Sequence, residues 1–390
     1  MGVIQGRLAL TLSPKTTSRE KLRKALAAGN YQVSFISNIS EVKPAIDAFK
    51  PVILLHDWLA VDESQSRKFH YQALRNEVFH SLPRVILVPD VSANMLAFAN
   101  DVMAERVMSY SSAYLTLGNE LEMLLQSQRT GREIKKLVRE VRSEEAKYDQ
   151  DEIDEKVNQA YQRYPHDLNV QLEYGNLKLR QDELEIAKIM AIEVIRRNPL
   201  NLRASNLLSR VYMKQGFWAK ALEILQQADS LSPMNGERLM IIGDAYYGKG
   251  DLDQALSYYE KAKAVDESMA AKANRGIGQI KLQQGHLEDA LALLGQSASE
   301  EEAAGYFNNA AVIAVKQGEL DQALKLYDTA LRALQTNRLK PTIYNNIALT
   351  FRRLGQTQEA EKYLQKVLKI DSENPKARQQ IKMIAKVRKS

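Results

Sequence analysis

The 390-residue chain contains no cysteine. Disulfides, thiolate catalysis and cysteine-ligated zinc or iron–sulfur centres are thereby excluded, and the absence suits a reducing compartment. Nowhere does the chain run for about 18 consecutive apolar residues, so no transmembrane helix and no membrane insertion are expected. The phosphate-cradling patterns GxGxxG and GxxxxGK[ST] are missing, as is a GxSxG nucleophile elbow. Histidine is scarce: His56, His70, His80, His166 and His286 are the only ones, and none stands at metal-ligand spacing from another. His56, in an apolar strand beside Asp57, reads as a core or strand-end histidine. The net charge of +6 is a mild excess over such a length and does not by itself argue for nucleic acid as partner. No catalytic residue, metal ligand or cofactor is expected.

What is present is enough apolar material, 45% of residues, for two or three separately packed domains. The opening MGVIQGRLALTLSPKTT has only LALTL as an apolar stretch and no proper positive region ahead of it. It reads as a first strand and not as a signal peptide, and a cytoplasmic location is the expectation.

The C-terminal half repeats. Pro165, Pro199 and Pro233 are each 34 residues apart, and Ala187, Ala221, Ala255, Ala290, Ala323 and Ala360 follow at 34, 34, 35, 33 and 37. Gly216, Gly250, Gly285, Gly318 and Gly355 precede the alanines, in segments such as YGKGDLDQALSYYEKA and VKQGELDQALKLYDTA. Each glycine suits a positive φ that ends one helix, and each alanine suits the close crossing of two helices. GIGQIKLQQG resembles a glycine loop only superficially, because Gly276 and Gly278 fall inside the first helix of a repeat.

These residues resemble the tetratricopeptide repeat (TPR) family: Gly243, Tyr246, Gly250, Ala255, Tyr259 and Ala262 match in one copy, and Tyr212, Gly216, Ala221, Ala228 and Pro233 in another. The resemblance implies an all-α solenoid of about five to six repeats over 167–375, closed by a capping helix over 376–390 in which Ile381, Ile384 and Val387 form a stripe. It also implies a concave, partner-binding groove lined by Arg203, Asn206, Arg210, Met213, Met240, Asp244, Tyr247, Arg275, Gln279, Asn308, Val312, Asn345, Leu349 and Arg352. Asparagines there would hold a peptide backbone and arginines would recognise carboxylates. The lysines of the family's carboxylate-clamp subset are absent.

Residues 1–127 alternate strand and helix patterns. RLALTL, YQVSFIS, PVILLH, PRVILV and RVMSYS are strand-like. TSREKLRKALAAG, ISEVKPAIDAFK, a polar stretch holding QALRNEVFHSL, NMLAFANDVM and YLTLGNELEMLLQS are helix-like. Five strands alternating with five helices predict an α/β doubly wound, five-stranded parallel sheet of flavodoxin-like type.

On AFKPVILLHDWL and SREKLRKALAAGNYQVSFISNISE, this domain resembles the receiver domain of response regulators. The resemblance places the phosphoacceptor at Asp57. It places the magnesium-holding acids at Ser13 and Pro14, the phosphoryl-binding hydroxyl at Val88 and the lysine at Tyr110. Only Asp57 keeps the required chemistry, since phosphoryl transfer depends on a metal and cations to stabilise developing charge. The domain is read as a degenerate pseudo-receiver, with Asp57 a relic phosphoacceptor and no metal bound.

Between the two lies a helical connector with a degenerate first repeat, 128–166. Ile134, Leu137, Val138 and Val141 form one stripe, and Ile153, Val157, Ala160 and Tyr161 another. Docking of this connector on the first repeat, a solvated linker and a homodimer through it or the receiver-like domain all remain open. Together the resemblances imply a non-enzymatic bacterial signalling adaptor or scaffold of two-component type, with protein or peptide partners and independent of phosphorylation. The competing expectation is a response regulator phosphorylated at Asp57 with the repeats as output, and nucleic-acid binding is the weakest of the three.

Overall fold

Short apolar, β-rich runs form five parallel strands in the computed structural model: β1 (Arg7–Leu12), β2 (Tyr31–Ile36), β3 (Ile53–Asp57), β4 (Arg84–Val88) and β5 (Arg106–Ser109). Their order is β2-β1-β3-β4-β5. The structure describes residues 7–13, 16–60, 62–74, 79, 82–125 and 150–387. Pro14, His80 and the connector positions Ile134, Leu137, Val138 and Val141 lie outside them.

Helices cover both faces of the sheet: α1 (Thr16–Ala28), α2 (Val42–Phe49), α3 (Glu63–Ala73), α4 (Ala93–Asp101) and α5 (110–125). Successive strand residues point to opposite faces, so each strand feeds two cores. Ala9, Ile53, Leu55, Val85 and Leu87 pack with Leu22, Leu26, Leu117 and Leu121 of α1 and α5. Leu10, Leu12 and Leu54 pack with Val42, Ile46 and Phe69 of α2 and α3. Ile86 and Val88 join Trp58, Tyr71 and Phe98 beside α4.

The third helix falls in the polar stretch that holds QALRNEVFHSL, of which residues 75–78, 80 and 81 lie outside the described residues. Asp62 caps it, its side chain accepting the Gln65 N–H at 3.1 Å. The segment ESQSRKFHYQA is polar on average yet buries Phe69, His70, Tyr71 and Ala73. Its apolar residues are clustered at one end, so no helical period announces them.

The chain divides into two units, Met1–Asp266 and Glu267–Ser390. The first continues with α6 (Gln150–Arg163), α7 (Leu168–Arg180), α8 (Leu184–Arg197), α9 (Leu202–Lys214), α10 (Trp218–Leu231), α11 (Gly236–Lys249) and α12 (Leu252–Val265). The connector stripe docks on the first repeat: Ile153 and Val157 are buried with Leu177, and Tyr161 stacks on Tyr174 at 3.9 Å. The second unit holds α13 (Ala270–Gln283), α14 (Leu287–Ser297), α15 (Glu300–Gln317), α16 (Leu320–Arg332), α17 (Lys340–Arg353), α18 (Thr357–Ile370) and α19 (Pro375–Val387). There Ala377 and Ile384 of α19 close the apolar cluster of Ala348, Ala360 and Leu364.

Within each unit the helices pair as α7/α8 to α11/α12 and α13/α14 to α17/α18. All six repeat alanines are fully buried where the helices of a pair cross. The turn glycines adopt φ between 76° and 89°, the left-handed region that ends a helix without a Cβ clash. The first pair lacks that glycine, and Asp182 takes its place at φ 62°. Aspartate is among the few side chains that tolerate this region.

Candidate functional site

Three of the positions singled out in the α/β domain converge at the carboxyl edge of the sheet. Ser13 follows β1, Asp57 ends β3 and Tyr110 opens α5 directly after β5. Ser13 Oγ donates to Asp57 Oδ2 at 2.9 Å. The Tyr110 hydroxyl donates to Asp57 Oδ1, which also accepts the Leu59 N–H at 3.2 Å. Asp57 is buried, so all three donors matter: an unpaired buried carboxylate would cost several kcal/mol, on the order of 3 or more. Burial and the Asp57 carboxylate both raise the Tyr110 pKa well above its ordinary value, keeping the phenol a proton donor. Val88, at the end of β4, turns into the apolar cluster of Trp58 and Phe98 and brings no hydroxyl to the pocket. Among the described residues no three His, Asp or Glu side chains gather as a metal site would require.

One strand residue earlier, His56 and His70 lie together although they are 14 apart in sequence. His56 Nδ1 is 2.8 Å from His70 Nε2, and Ser66 Oγ is 3.3 Å from His56 Nε2. The rings sit among Trp58, Phe69 and Phe98. Burial pushes His56 down to about 3. Burial first, then His56 and Arg84, drive His70 well below its usual value. Sequence spacing did not reveal this pair, because the contact joins a strand to a helix.

The repeats present a second set of residues. In the Met1–Asp266 unit, α6, α7, α9, α10 and α11 meet the α/β domain. Asp101, the last residue of α4, accepts from Arg238 Nη2 at 2.7 Å, Asn235 Nδ2 at 2.9 Å and the Tyr71 hydroxyl at 3.0 Å, all on Oδ2. Arg238 also donates to the Ser232 carbonyl at 2.7 Å and to Asn206 Oδ1 at 3.2 Å. Burial acts to lower the pKa of this guanidinium, but Asp101 beside it carries the pKa above its usual value. Apolar contacts flank the network: Ala97 with Leu202 and Ala228, and Met103 with Ala160 and Val170.

Arg203 and Asn206 are buried beside this junction, Arg203 paired with Glu173 and bonded to Asn169 Oδ1 at 3.0 Å. Arg210 reaches Glu237 at 3.0 Å. Met213 packs with α10 and α11, Met240 is buried, and Asp244 accepts the Tyr259 hydroxyl at 2.8 Å. Tyr247 is half-buried.

In the Glu267–Ser390 unit, Arg275 pairs with Glu302 at 3.0 Å. Asn308 accepts from Asn346 at 3.0 Å, and Asn345 donates to the Pro341 carbonyl at 3.0 Å. Gln279, Val312 and Arg352 are half-exposed and Leu349 is exposed. The asparagine ladder is therefore partly engaged between its own helices.

Sequence reasoning missed Asp101, Tyr71, Ser232 and Arg238. A signal existed for the last. Val170, Ala204, Ala273 and Ile343 are buried apolar residues at the same place in their repeats. Arg238 is the one charge at that place.

Two models of the tetratricopeptide repeat match the chain, one over residues 302–373 and the other over 172–235 and 242–307, together half of its length. A curated relative, tetratricopeptide repeat protein 1 of Schizosaccharomyces pombe, is 26% identical over 169 residues, 41% of this chain. The match spans 16% of that relative's length. Among solved structures, the Cut9 and Hcn1 assembly of the APC/C aligns with 85% of this chain and 68% of its own at 15% identity and a TM-score of 0.44. The apo quorum sensor NprR from B. thuringiensis covers 66% of this chain and 82% of its own, at 14% identity and a TM-score of 0.43. The type IV pilus biogenesis factor PilW covers 54% and 97%, at 19% and 0.40.

Proposed function

Because the chain belongs to the tetratricopeptide-repeat family, we propose that it is a non-enzymatic adaptor that holds protein partners on its repeats and carries a receiver-like domain no longer worked by phosphorylation. Repeats of this kind present a concave surface built from the first helix of each pair. The reading of the α/β domain as a receiver relic is supported by its β2-β1-β3-β4-β5 order and by an aspartate at the end of β3. No helix of the described residues is long and apolar enough to cross a membrane.

The observation that carries the phosphorylation-independent reading is the state of Asp57. Both of its oxygens already accept from Ser13, Tyr110 or the Leu59 N–H. A working phosphoacceptor needs neighbouring acids for magnesium and a cation for the phosphoryl oxygens. Here hydroxyl groups occupy the places nearest the carboxylate. Incubation of the protein with magnesium and acetyl phosphate should leave its intact mass unchanged. Asp57→Asn should leave partner binding unaltered. Stoichiometric phosphorylation of Asp57 would overturn this reading in favour of a functioning response regulator.

A further inference from the structure

In the Glu267–Ser390 unit one repeat position breaks the pattern of the others. Val211, Ala245, Ile280 and Thr350 occupy equivalent places in the first helices of their pairs, and all are buried. Val211 packs against α8 and Ala245 against α10, each the second helix of the preceding pair. The equivalent residue of α15 is Ile313, which is 54% exposed. A large β-branched side chain stands open where its counterparts are sealed.

The cause lies in the two neighbouring helices. α14 has 11 residues where α12 has 14, and α15 is extended to 18. Arg275 and Glu302 join α13 to α15 near the start of α15. Beyond that ion pair the two helices scarcely approach one another. On α15 itself, a Cβ added to Gly305 would meet nothing within 4 Å, so no side chain fills that part of the surface.

The charge of the unit is one-sided. Residues 267–390 hold 19 Lys and Arg against 13 Asp and Glu, so the chain's whole net charge of +6 resides there. α13 contributes Lys272, Arg275 and Lys281 and no acid, and α17 contributes Lys340, Arg352 and Arg353 and no acid. The acids of α15 are confined to its first turn, where Glu302 pairs with Arg275 and Glu300 accepts the N–H groups of Gln335 and Thr336. In the other unit the equivalent helices already bind a carboxylate, that of Asp101, through Arg238 and Asn235.

We infer that the first helices of the Glu267–Ser390 unit bind an acidic peptide segment bearing an aliphatic side chain, which seats against exposed Ile313 at the loosely packed seam between α14 and α15. The inference rests on the proposed partner-binding role of the repeats and names the chemistry of the partner. Burying Ile313 supplies the apolar part of the affinity. Lys316, one turn further along α15, and Arg352 on α17 supply charge that attracts acids and rejects basic segments.

Selection of a phage-displayed library of short random peptides on the full-length protein tests this. Selected peptides should be rich in Asp and Glu with Leu, Ile or Val. Their affinity should fall roughly tenfold or more in Ile313→Asp, a change at an exposed position. Arg352→Glu should weaken them too and lies outside the seam, which keeps the test valid should Ile313→Asp fold poorly. Neutral or basic peptides that bind irrespective of Ile313 would overturn this inference and leave the adaptor reading standing. Recovery of no peptide at all would overturn both. A single-stranded RNA oligonucleotide that binds equally to the protein and to Ile313→Asp, with no acidic peptide competing, would assign the basic surface to nucleic acid and overturn the inference.

Discussion

The Asp101 carboxylate and the Arg238 guanidinium meet at 2.7 Å with neither side chain exposed. One comes from α4 of the sheet domain and the other from α11 of the repeats. Two charges out of water are tolerated only when hydrogen bonds satisfy them. Here Asn235 and Tyr71 join Arg238 on Asp101 Oδ2, and Ser232 and Asn206 accept from the guanidinium, while Asp101 Oδ1 is buried with no hydrogen-bond partner among the described residues. The pair therefore specifies one docking geometry, because any shift of α4 along α11 would strand both charges. An α/β domain held this way takes up the start of the repeat surface, next to Arg203 and Asn206.

Removing one partner should be severe. Asp101→Ala or Arg238→Met alone is expected to destabilise the protein by about 3–5 kcal/mol, because the remaining charge is left buried. Replacing both, as Asp101→Leu with Arg238→Met, should recover much of that loss. Urea denaturation followed by tryptophan fluorescence would measure it. If the single and double variants lose equal stability, the pair has no specific coupling.

Acid should loosen the domain through His56 and His70. Both are held neutral by burial, His56 down to about 3 and His70 well below its usual value. The unfolded chain binds protons at about pH 6.5, so it gains protons before the folded chain does. The contribution is complete above about pH 6.5 and is lost as pH falls toward 3, with a slope of about 1.4 kcal/mol per pH unit for each ring. Denaturation at a series of pH values, compared with His56→Leu/His70→Phe, isolates this term. An unchanged slope in the double variant would show that the rings play no part.

The repeats were legible in the sequence because their glycines and alanines mark obligatory backbone events, a left-handed turn and a close crossing. The sheet was legible because its strands are apolar on both faces. Helix α3 shows no clear period in the sequence because its buried residues are crowded toward its end among polar neighbours. Ser13, Asp57 and Tyr110 were placed together by their positions at strand ends, but the hydrogen bonds that bind them depend on side-chain reach. The His56–His70 contact and the Asp101–Arg238 pair join residues distant along the chain, and periodicity carries no trace of such pairing. Arg238 alone left a mark, as a charge where its counterparts are apolar.

Alkali should act on the Asp57 pocket. The Tyr110 pKa is raised above the ordinary tyrosine value of about 10 by burial and by Asp57. A raised folded value means that the stabilisation is complete below about pH 10 and is lost as pH climbs through the folded value. Tyr110→Phe should be less stable than the wild type near neutrality, by about 1–3 kcal/mol, since Asp57 loses a donor. The gap should narrow above about pH 10. Thermal melts at neutral and alkaline pH would reveal this, and a gap that widens with pH would contradict it.

Gly243 sits where packing alone decides the outcome of a substitution. A Cβ at this position would lie 2.6 Å from the Tyr259 ring. That ring is buried, and its hydroxyl is tied to Asp244 at 2.8 Å. The ring therefore has little freedom to retreat, and α11 and α12 must separate to admit a methyl group. Gly243→Ala should destabilise by about 1–3 kcal/mol despite the better helix propensity of alanine, which on its own would stabilise by roughly 1 kcal/mol. Gly243→Ala/Tyr259→Leu should be milder than the sum of its parts, because the smaller side chain vacates the contested space. Strict additivity in a double-mutant cycle would mean that the close approach of these two residues does not govern the crossing.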